Sequence, residues 1–514
     1  MANVRRRRLI GGAAATAALP RRLFAQTLAK NRPQLPQGVQ SGDVLPDGGV
    51  IWSRVDRPAQ MFVDYATTES FSNAQRIDGP LALEPTDFTT RVRINGIPPG
   101  QTVFYRVTYL DLADFSTFSE PVVGRFKVPA ATTGDVSFVW SGDTAGQGYG
   151  INPDVGGMTI YESMRRLSPD FFVHSGDAIY ADNPIAPEKK LPDGKVWKNI
   201  VTEGKSRVAE TLADFRANYR YNFLDDHLRR FAAEVPLIAQ WDDHDVLDNW
   251  YWQKRLDNDP RYHEKSVAKL AALGQRAFRE YMPLWRDLDG PMELYHRFSF
   301  GPRLDLFRVD MRSYRGPNGR NLQSVLDGDS AFMGNLQVEW LKGALKESTA
   351  TWKIIAADMP IGVVVYDDWR TKSGSEAVAN GDDGPPLGRE LEIAGLLSFI
   401  KREGIRNVHW ITADVHYPAT HRYDPNKAAF SDFLPFYEFV SGPLCAGGFG
   451  PNALDRTFGP EIVFQKPAGR PDLAPSEGSC HFGHVKVDGK SGAMTVTHRD
   501  AAGNILHALD LAPL

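Results

Sequence analysis

Short apolar runs that each end in acidic residues recur along this chain. They are Phe138-Val139-Trp140-Ser141-Gly142-Asp143, Phe171-Phe172-Val173-His174-Ser175-Gly176-Asp177-Ala178-Ile179-Tyr180, Leu237-Ile238-Ala239-Gln240-Trp241-Asp242-Asp243-His244-Asp245 and Val408-His409-Trp410-Ile411-Thr412-Ala413-Asp414-Val415-His416. Apolar runs of this length, closed by Gly and polar residues, predict buried strands entering loops. In open α/β sheets ligands sit beyond the carboxyl ends of strands. The pattern therefore predicts Asp, His and Tyr gathered on one rim.

From Val136 onward such strands alternate with helical stretches at 159–167, 208–219 and 267–281, which predicts an α/β domain over 134–514. Polar inserts at 184–204 and 373–388 interrupt it and read as lids or surface loops. The end of the chain returns to strands at 438–440, 484–487 and 493–496. Before position 129 the pattern differs. Strand-like runs at 50–55, 61–65 and 103–109, separated by turns such as Asp47-Gly48-Gly49 and Pro98-Pro99-Gly100, predict a small β-sandwich domain over 35–129. There is no internal repeat and no heptad run.

A length of 514 residues favours two or more domains. The formal charge of −4 supplies no global basic field, so no specific nucleic-acid partner is expected. Arg5-Arg6-Arg7-Arg8 precedes Leu9-Ile10 and a small-residue stretch, with Leu23-Phe24-Ala25 as the cleavage edge. Residues 1–26 thus read as a signal resembling the twin-arginine type, against the plainer alternative of a solvated basic tail. The signal implies the twin-arginine export machinery as a partner, a periplasmic or secreted protein, and no transmembrane anchor after processing. Cys445 and Cys480 are the two cysteines. In an oxidising compartment they pair or stay as buried thiols, and spacing leaves both open.

The candidate chemistry lies at the strand ends. A carboxylate such as Asp177 can bridge two cations, and Tyr180 can return to the same ion as a phenolate, a hard ligand suited to Fe(III). Asp143 stands at an equivalent strand end. The plainer alternative for any single Gly-Asp is a turn, and recurrence at Gly142-Asp143 weakens it. Trp241-Asp242-Asp243-His244-Asp245 packs acids around one histidine, whose mutual repulsion a cation relieves. Beside a divalent ion His244 could protonate a leaving group. The alternative is a helix N-cap cluster. Asp414 and His416 alternate in an extended loop and would share one side, with His421 as an outer support. Asp310 and Arg312 share a strand face, where Arg312 serves either as a bidentate phosphate clamp or in a structural ion pair. The aromatic residues Trp250, Tyr251 and Trp252 line a substrate cleft or belong to the core. The glycine-rich run 145–150 reads as a loop that lets backbone approach the site. Walker-A, HExxH and G-x-S-x-G signatures are missing.

Taken together, His174-Ser175-Gly176-Asp177-Ala178-Ile179-Tyr180, Trp241-Asp242-Asp243-His244-Asp245, Ala413-Asp414-Val415-His416 and Asp310-Met311-Arg312-Ser313-Tyr314-Arg315 resemble the motifs of the PhoD-like alkaline phosphatases, a branch of the calcineurin-like metallophosphoesterases. Gly38-Val39-Gln40-Ser41-Gly42-Asp43 with Val50-Ile51-Trp52-Ser53-Arg54 looks like the start of that family's N-terminal β domain, and Gly334 to Leu341 also fits. The resemblance implies an α/β fold, a four-layer αββα metallophosphoesterase sandwich with an N-terminal β-sandwich domain. It implies Fe(III) plus Ca²⁺ or another divalent cation. By analogy Asp177 bridges, Tyr180 ligates iron, Asp143, Asp414 and His416 complete the set, and Asp243 faces the second ion. His244 stands where the superfamily keeps a catalytic histidine. One departure is Asp143, where the family usually carries Cys; Asp with Tyr is similar to the purple acid phosphatases instead. The expected activity is hydrolysis of phosphate monoesters, diesters or both by a metal-activated water. The alternatives are a phospholipase D-like phosphodiesterase and, in a different class, a non-catalytic secreted protein with structural Ca²⁺.

Overall fold

Parallel pairing sets the acid-tipped runs side by side in a computed structural model that describes residues 31–285 and 293–514. The signal expected over residues 1–26 lies outside the described residues. Val136–Ser141 pairs in parallel with Phe171–Ser175, and that strand with Leu237–Gln240. In a second sheet Leu304–Arg308, Trp352–Ala356, Val408–Thr412 and Phe436–Val440 run parallel in that order. Each of these strands therefore points its carboxyl end the same way as its neighbours.

Burial explains why these runs lack alternation. Phe171–Ser175, Leu304–Arg308, Trp352–Ala356 and Val408–Thr412 are buried at every position. Strands covered on both faces read as continuous apolar runs. One face of each sheet meets the other sheet, where Phe138, Trp140, Phe171 and Val173 pack with Phe300, Leu306, Ile354 and Phe439. The outer faces carry helices. Asn335–Glu347 and Glu390–Arg402 pack on the second sheet. Leu212–Asn222 and Val267–Tyr281 cover part of the first, and Ile160–Arg166 with Asp226–Glu234 covers another part.

The N-terminal strands divide between two sheets. Gln75–Ala82, Ala59–Ala66, Thr102–Asp111 and Val122–Lys127 form a four-stranded sheet. Thr102–Asp111 alternates strictly between half-buried and buried positions, as a strand with one face in a core should. Val39–Leu45, Gly48–Arg54 and Thr89–Ile94 face it across a core of their own, yet they extend the first large sheet. Gly42 registers with Leu237 in parallel. At the other end of that nine-stranded sheet lie His481–Val487, Met494–Asp500 and Ile505–Leu511. The insert at 184–204 contains a small hairpin, Glu188–Lys190 with Val196–Lys198. Cys445 and Cys480 are both free and buried. Trp250 is a core residue packed on Trp241. Among the described residues no helix is long and apolar enough to cross a membrane.

The inter-sheet contact at Phe171 is testable. Its ring stacks on Phe300 at 3.9 Å and on Phe138 at 4.8 Å between centroids. Phe171→Ala should destabilise the protein by about 3–5 kcal/mol through lost burial and a residual cavity. Thermal unfolding would show a clearly lowered midpoint, whereas Leu224→Ala at an exposed position should leave it unchanged.

Candidate metal centre

The strand ends converge because the chain turns sharply after each of them. Asp143, Asp177, Asp414 and His416 all adopt left-handed backbone, with φ of 69°, 53°, 65° and 61°. Non-glycine residues rarely accept this conformation, and it concentrates at functional sites. Two glycines make the approach possible. A Cβ on Gly176, itself at φ 95°, would lie 2.3 Å from the Asp242 Cβ, and one on Gly146 would lie 2.4 Å from the Tyr180 ring. The glycine-rich run after Asp143 does bring backbone against the site.

Three donor groups result, each with ligand atoms within 4.8 Å of one another: Asp143, Asp177 and His416; Asp177, Asp243 and His244; and Asp242, Asp243 and Asp414. Asp177 belongs to two of them and Asp243 to two. The Nδ1 of His416 lies 2.6 Å from the Gly447 carbonyl oxygen, so it donates there. Its Nε2 keeps the lone pair and faces Tyr180 Oη at 3.0 Å and Asp143 Oδ1 at 3.1 Å. Fixing one ring nitrogen by a hydrogen bond is how a histidine is oriented toward a metal. Asp143 Oδ2 is fully buried with no hydrogen-bond partner, as are Asp242 Oδ2 and Asp358 Oδ1. Buried polar atoms are rarely left unpaired, and hard cations favour carboxylate oxygens. The residues present fit metal ions.

The electrostatics agree. Burial, then Asp243, Asp242 and Asp143, push the Asp177 carboxyl well above its ordinary range. Burial, then Asp177 and Asp143, raise the Tyr180 phenol likewise. A cation removes this penalty. His244 behaves differently. Burial opposes its charge, but Asp182 and Asp243 outweigh burial and hold the imidazole up to about 10. Its Nδ1 lies 2.7 Å from Asp182 Oδ1, its ring stacks on Tyr180 at 4.2 Å, and its Nε2 lies 3.8 Å from Asp248 Oδ1. The side chain remains 12% exposed, so water reaches it.

Arg312 stands in ion pairs, one of the two arrangements expected of it. Its side chain is fully buried, 2.5 Å from Asp242, in contact with Glu376 and 3.5 Å from Asp358. Those pairings tie the Asp242 loop to the segment that follows Leu304–Arg308 and to Glu376. Asp310 accepts from Trp241 Nε1 and from the backbone of Arg312 and Ser313. His421 also moves off the centre. It pairs with Glu438 on the neighbouring strand at 3.1 Å. Three contributors escaped the sequence reading. Asp182 follows Tyr180 by two positions in the loop already singled out. Asp358 ends Trp352–Ala356 in the same way that Asp143 ends its strand, so the same rule finds it. Glu376 lies in a polar insert and carries no signal.

The model of the PhoD-like phosphatases matches residues 138–498, and that of their N-terminal domain matches residues 20–130. The chain belongs to the PhoD-like phosphatase family. Alkaline phosphatase D of Bacillus subtilis (strain 168) is 27% identical over 439 residues, covering 80% of this chain and 70% of that protein. The solved structure of PhoD superposes with a TM-score of 0.69 at 21% identity, covering 93% and 89% of the two chains. Purple acid phosphatase PPD1 from yellow lupin (Lupinus luteus) seeds superposes with a TM-score of 0.56 at 10% identity, covering 94% and 74%. These two likenesses concern the fold, which this chain shares with PhoD and with purple acid phosphatase. Membership makes this PhoD-like protein a phosphoric ester hydrolase and sets aside the non-catalytic alternative.

Protein stripped of metal should lose thermal stability between pH 7 and pH 9. The His244 proton is held in the fold up to about 10, against 6.5 as its ordinary value. Its contribution is complete below the unfolded value and fades as pH rises toward the folded one. The raised Asp177 carboxyl acts in the same direction. Melting curves of chelated protein that stay flat or improve over this interval contradict the charge arrangement. Added Ca²⁺ or Mn²⁺ should restore the midpoint.

Proposed function

We propose that this protein is an exported hydrolase of phosphate monoesters, diesters or both, acting at a two-cation centre. The observation that carries the reading is Asp177, which belongs to two donor groups, one with Asp143 and His416 and one with Asp243 and the partly exposed His244. Asp143, Asp177, Tyr180 and His416 would hold one cation, and a carboxylate, phenolate and imidazole set suits Fe(III). Asp243, common to the groups of Asp177 and of Asp414, would hold the other with them, Ca²⁺ or another divalent ion. When bound, the cations supply the positive charge that draws in a phosphoryl oxygen and lowers the pKa of the attacking water.

The chain's own residues supply the rest. His244 gives its Nδ1 proton to a hydrogen bond with Asp182, which leaves Nε2–H directed away from that carboxylate. That proton passes to the ester oxygen as the P–O bond breaks. Asp182 steadies the imidazole, and its second oxygen accepts from the Asp248 backbone, so the pair keeps its place. The Tyr180 ring fixes the imidazole plane by stacking. The buried Arg312 keeps the Asp242 loop in position.

Three further parts belong to this reading. The core clusters on both outer faces support a four-layer αββα arrangement. The β-sandwich core of residues 35–129 supports an N-terminal domain beside a catalytic domain at 134–514. Export through the twin-arginine route to the periplasm or beyond rests on Arg5-Arg6-Arg7-Arg8 and the stretch that follows.

Metal analysis with hydrolysis of p-nitrophenyl phosphate, bis-p-nitrophenyl phosphate and a phospholipid tests the reading and ranks the substrates. Asp177→Asn should lose bound metal and turnover while remaining folded, and near-normal turnover would sink the centre. Asp182→Asn and His244→Ala should lower kcat by about 10²-fold or more on an alkyl phosphate with metal content unchanged. The loss should be smaller with p-nitrophenyl phosphate, whose leaving group departs without a proton. An equal loss on both esters contradicts the acid role of His244.

A further inference from the structure

One tryptophan breaks the rule that the others follow. Trp369 is 74% exposed, whereas the other ten are buried or half-buried. A tryptophan left in water forgoes more burial than any other side chain, and such residues mark recognition surfaces.

Its position is as informative as its exposure. Trp369 opens the tip of a hairpin, Tyr366–Asp368 paired with Ser373–Ser375. The base of this hairpin is tied to the metal loops from two directions. Asn249 Nδ2 donates to the carbonyl oxygens of Tyr366 and Asp367, while the Asn249 backbone N–H donates to Asp243 Oδ2 at 2.7 Å. Just past the hairpin, Glu376 pairs with Arg312, which pairs with Asp242. Asn318 joins the Asn249 carbonyl to Asp367 and closes the base. At about 3.3 Å per extended residue, Trp369 stands only a few residues from groups that touch a donor carboxylate. The strand leading into the hairpin also borders the segment that carries Phe449. Asn452 donates to the Val364 carbonyl oxygen, and Val363 bridges Leu454. Phe449 is half-buried with its ring 5.4 Å from that of His416. Two aromatic side chains therefore stand on adjoining segments that are both tied to the donor loops. One is packed on a donor histidine and the other is exposed at the tip.

We propose that Trp369 is a stacking platform for the leaving group of the phosphate ester, and that the preferred esters carry a planar ring of the aryl or nucleoside kind. The proposal rests on the hydrolase reading above. The Arg370 guanidinium lies over the indole at 5.4 Å, a planar cation that polarises the ring and leaves its remaining surface to a planar ligand. Stacking on an aromatic side chain accepts any ring with a π face. An alkyl leaving group gains little from it. Trp369 thus acts on specificity, through ground-state binding, without touching the phosphoryl group.

The test uses wild type, Trp369→Ala and Trp369→Phe with p-nitrophenyl phosphate, adenosine monophosphate and glycerol 3-phosphate. The alanine variant should raise KM about tenfold on esters with a ring, leave kcat unchanged, and leave glycerol 3-phosphate unaffected. The phenylalanine variant should recover most of the loss. A change confined to adenosine monophosphate supports nucleoside esters as the class, and one confined to the p-nitrophenyl ester supports aryl esters. An unchanged variant on an active wild type overturns the stacking role alone, and so does an equal change on glycerol 3-phosphate. Wild-type protein that turns over none of the three overturns the proposed reaction and the stacking role with it.

Discussion

Mutual repulsion among buried carboxylates is the constraint on which this structure turns. Asp143, Asp177, Asp242, Asp243, Asp358 and Asp414 are drawn to one rim where water is largely excluded. Alone, such a set would protonate or push apart. The fold answers with two fixed cationic partners. Arg312 sits between Asp242 and Glu376, and His244 sits between Asp182 and Asp243. The oxygens left without partners then mark where further positive charge is needed. Arg312 and His244 thus do related electrostatic work on opposite sides, one wholly inside and one at the mouth.

The scaffold that imposes this crowding is stiff for a stated reason. The strands bearing the donors are buried on both faces and held in parallel registers by their neighbours. The left-handed backbone at Asp143, Asp177, Asp414 and His416 is a local cost that the packed sheets sustain. Asp43, on a strand from the N-terminal part, pairs with Arg308 of the second sheet at 3.0 Å, so the two large sheets are joined by charge as well as by apolar packing.

Much of the centre was legible in the sequence because its residues follow apolar runs. The strand-then-acid pattern located Asp143, Asp177, Asp243, Asp414 and His416, and their positions at one rim follow from parallel topology. The same rule applied to Ile354-Ile355-Ala356-Ala357-Asp358 would have found Asp358. Asp182 was hidden by its ordinary setting in a polar loop. The role of Arg312 depended on a long-range partner, Glu376, that no local pattern announces. His421 pairs with Glu438, directly opposite it on the neighbouring strand, a long-range partner that nearness to His416 along the chain does not announce. The N-terminal strands read correctly as β structure. Their entry into the large sheet through Gly42 and Leu237 is a non-local pairing that hydrophobic period does not encode.

That nine-stranded sheet has a bearing on how the protein comes into being. It runs from strands near the start of the chain, Val39–Leu45 and Gly48–Arg54, to the last strand, Ile505–Leu511. Pairings so distant in sequence form late and slowly. The donor set itself stretches from Asp143 to His416. A centre with donors so far apart in sequence exists only once that whole span has folded together, and whatever compartment the chain occupies then decides which ions it meets first.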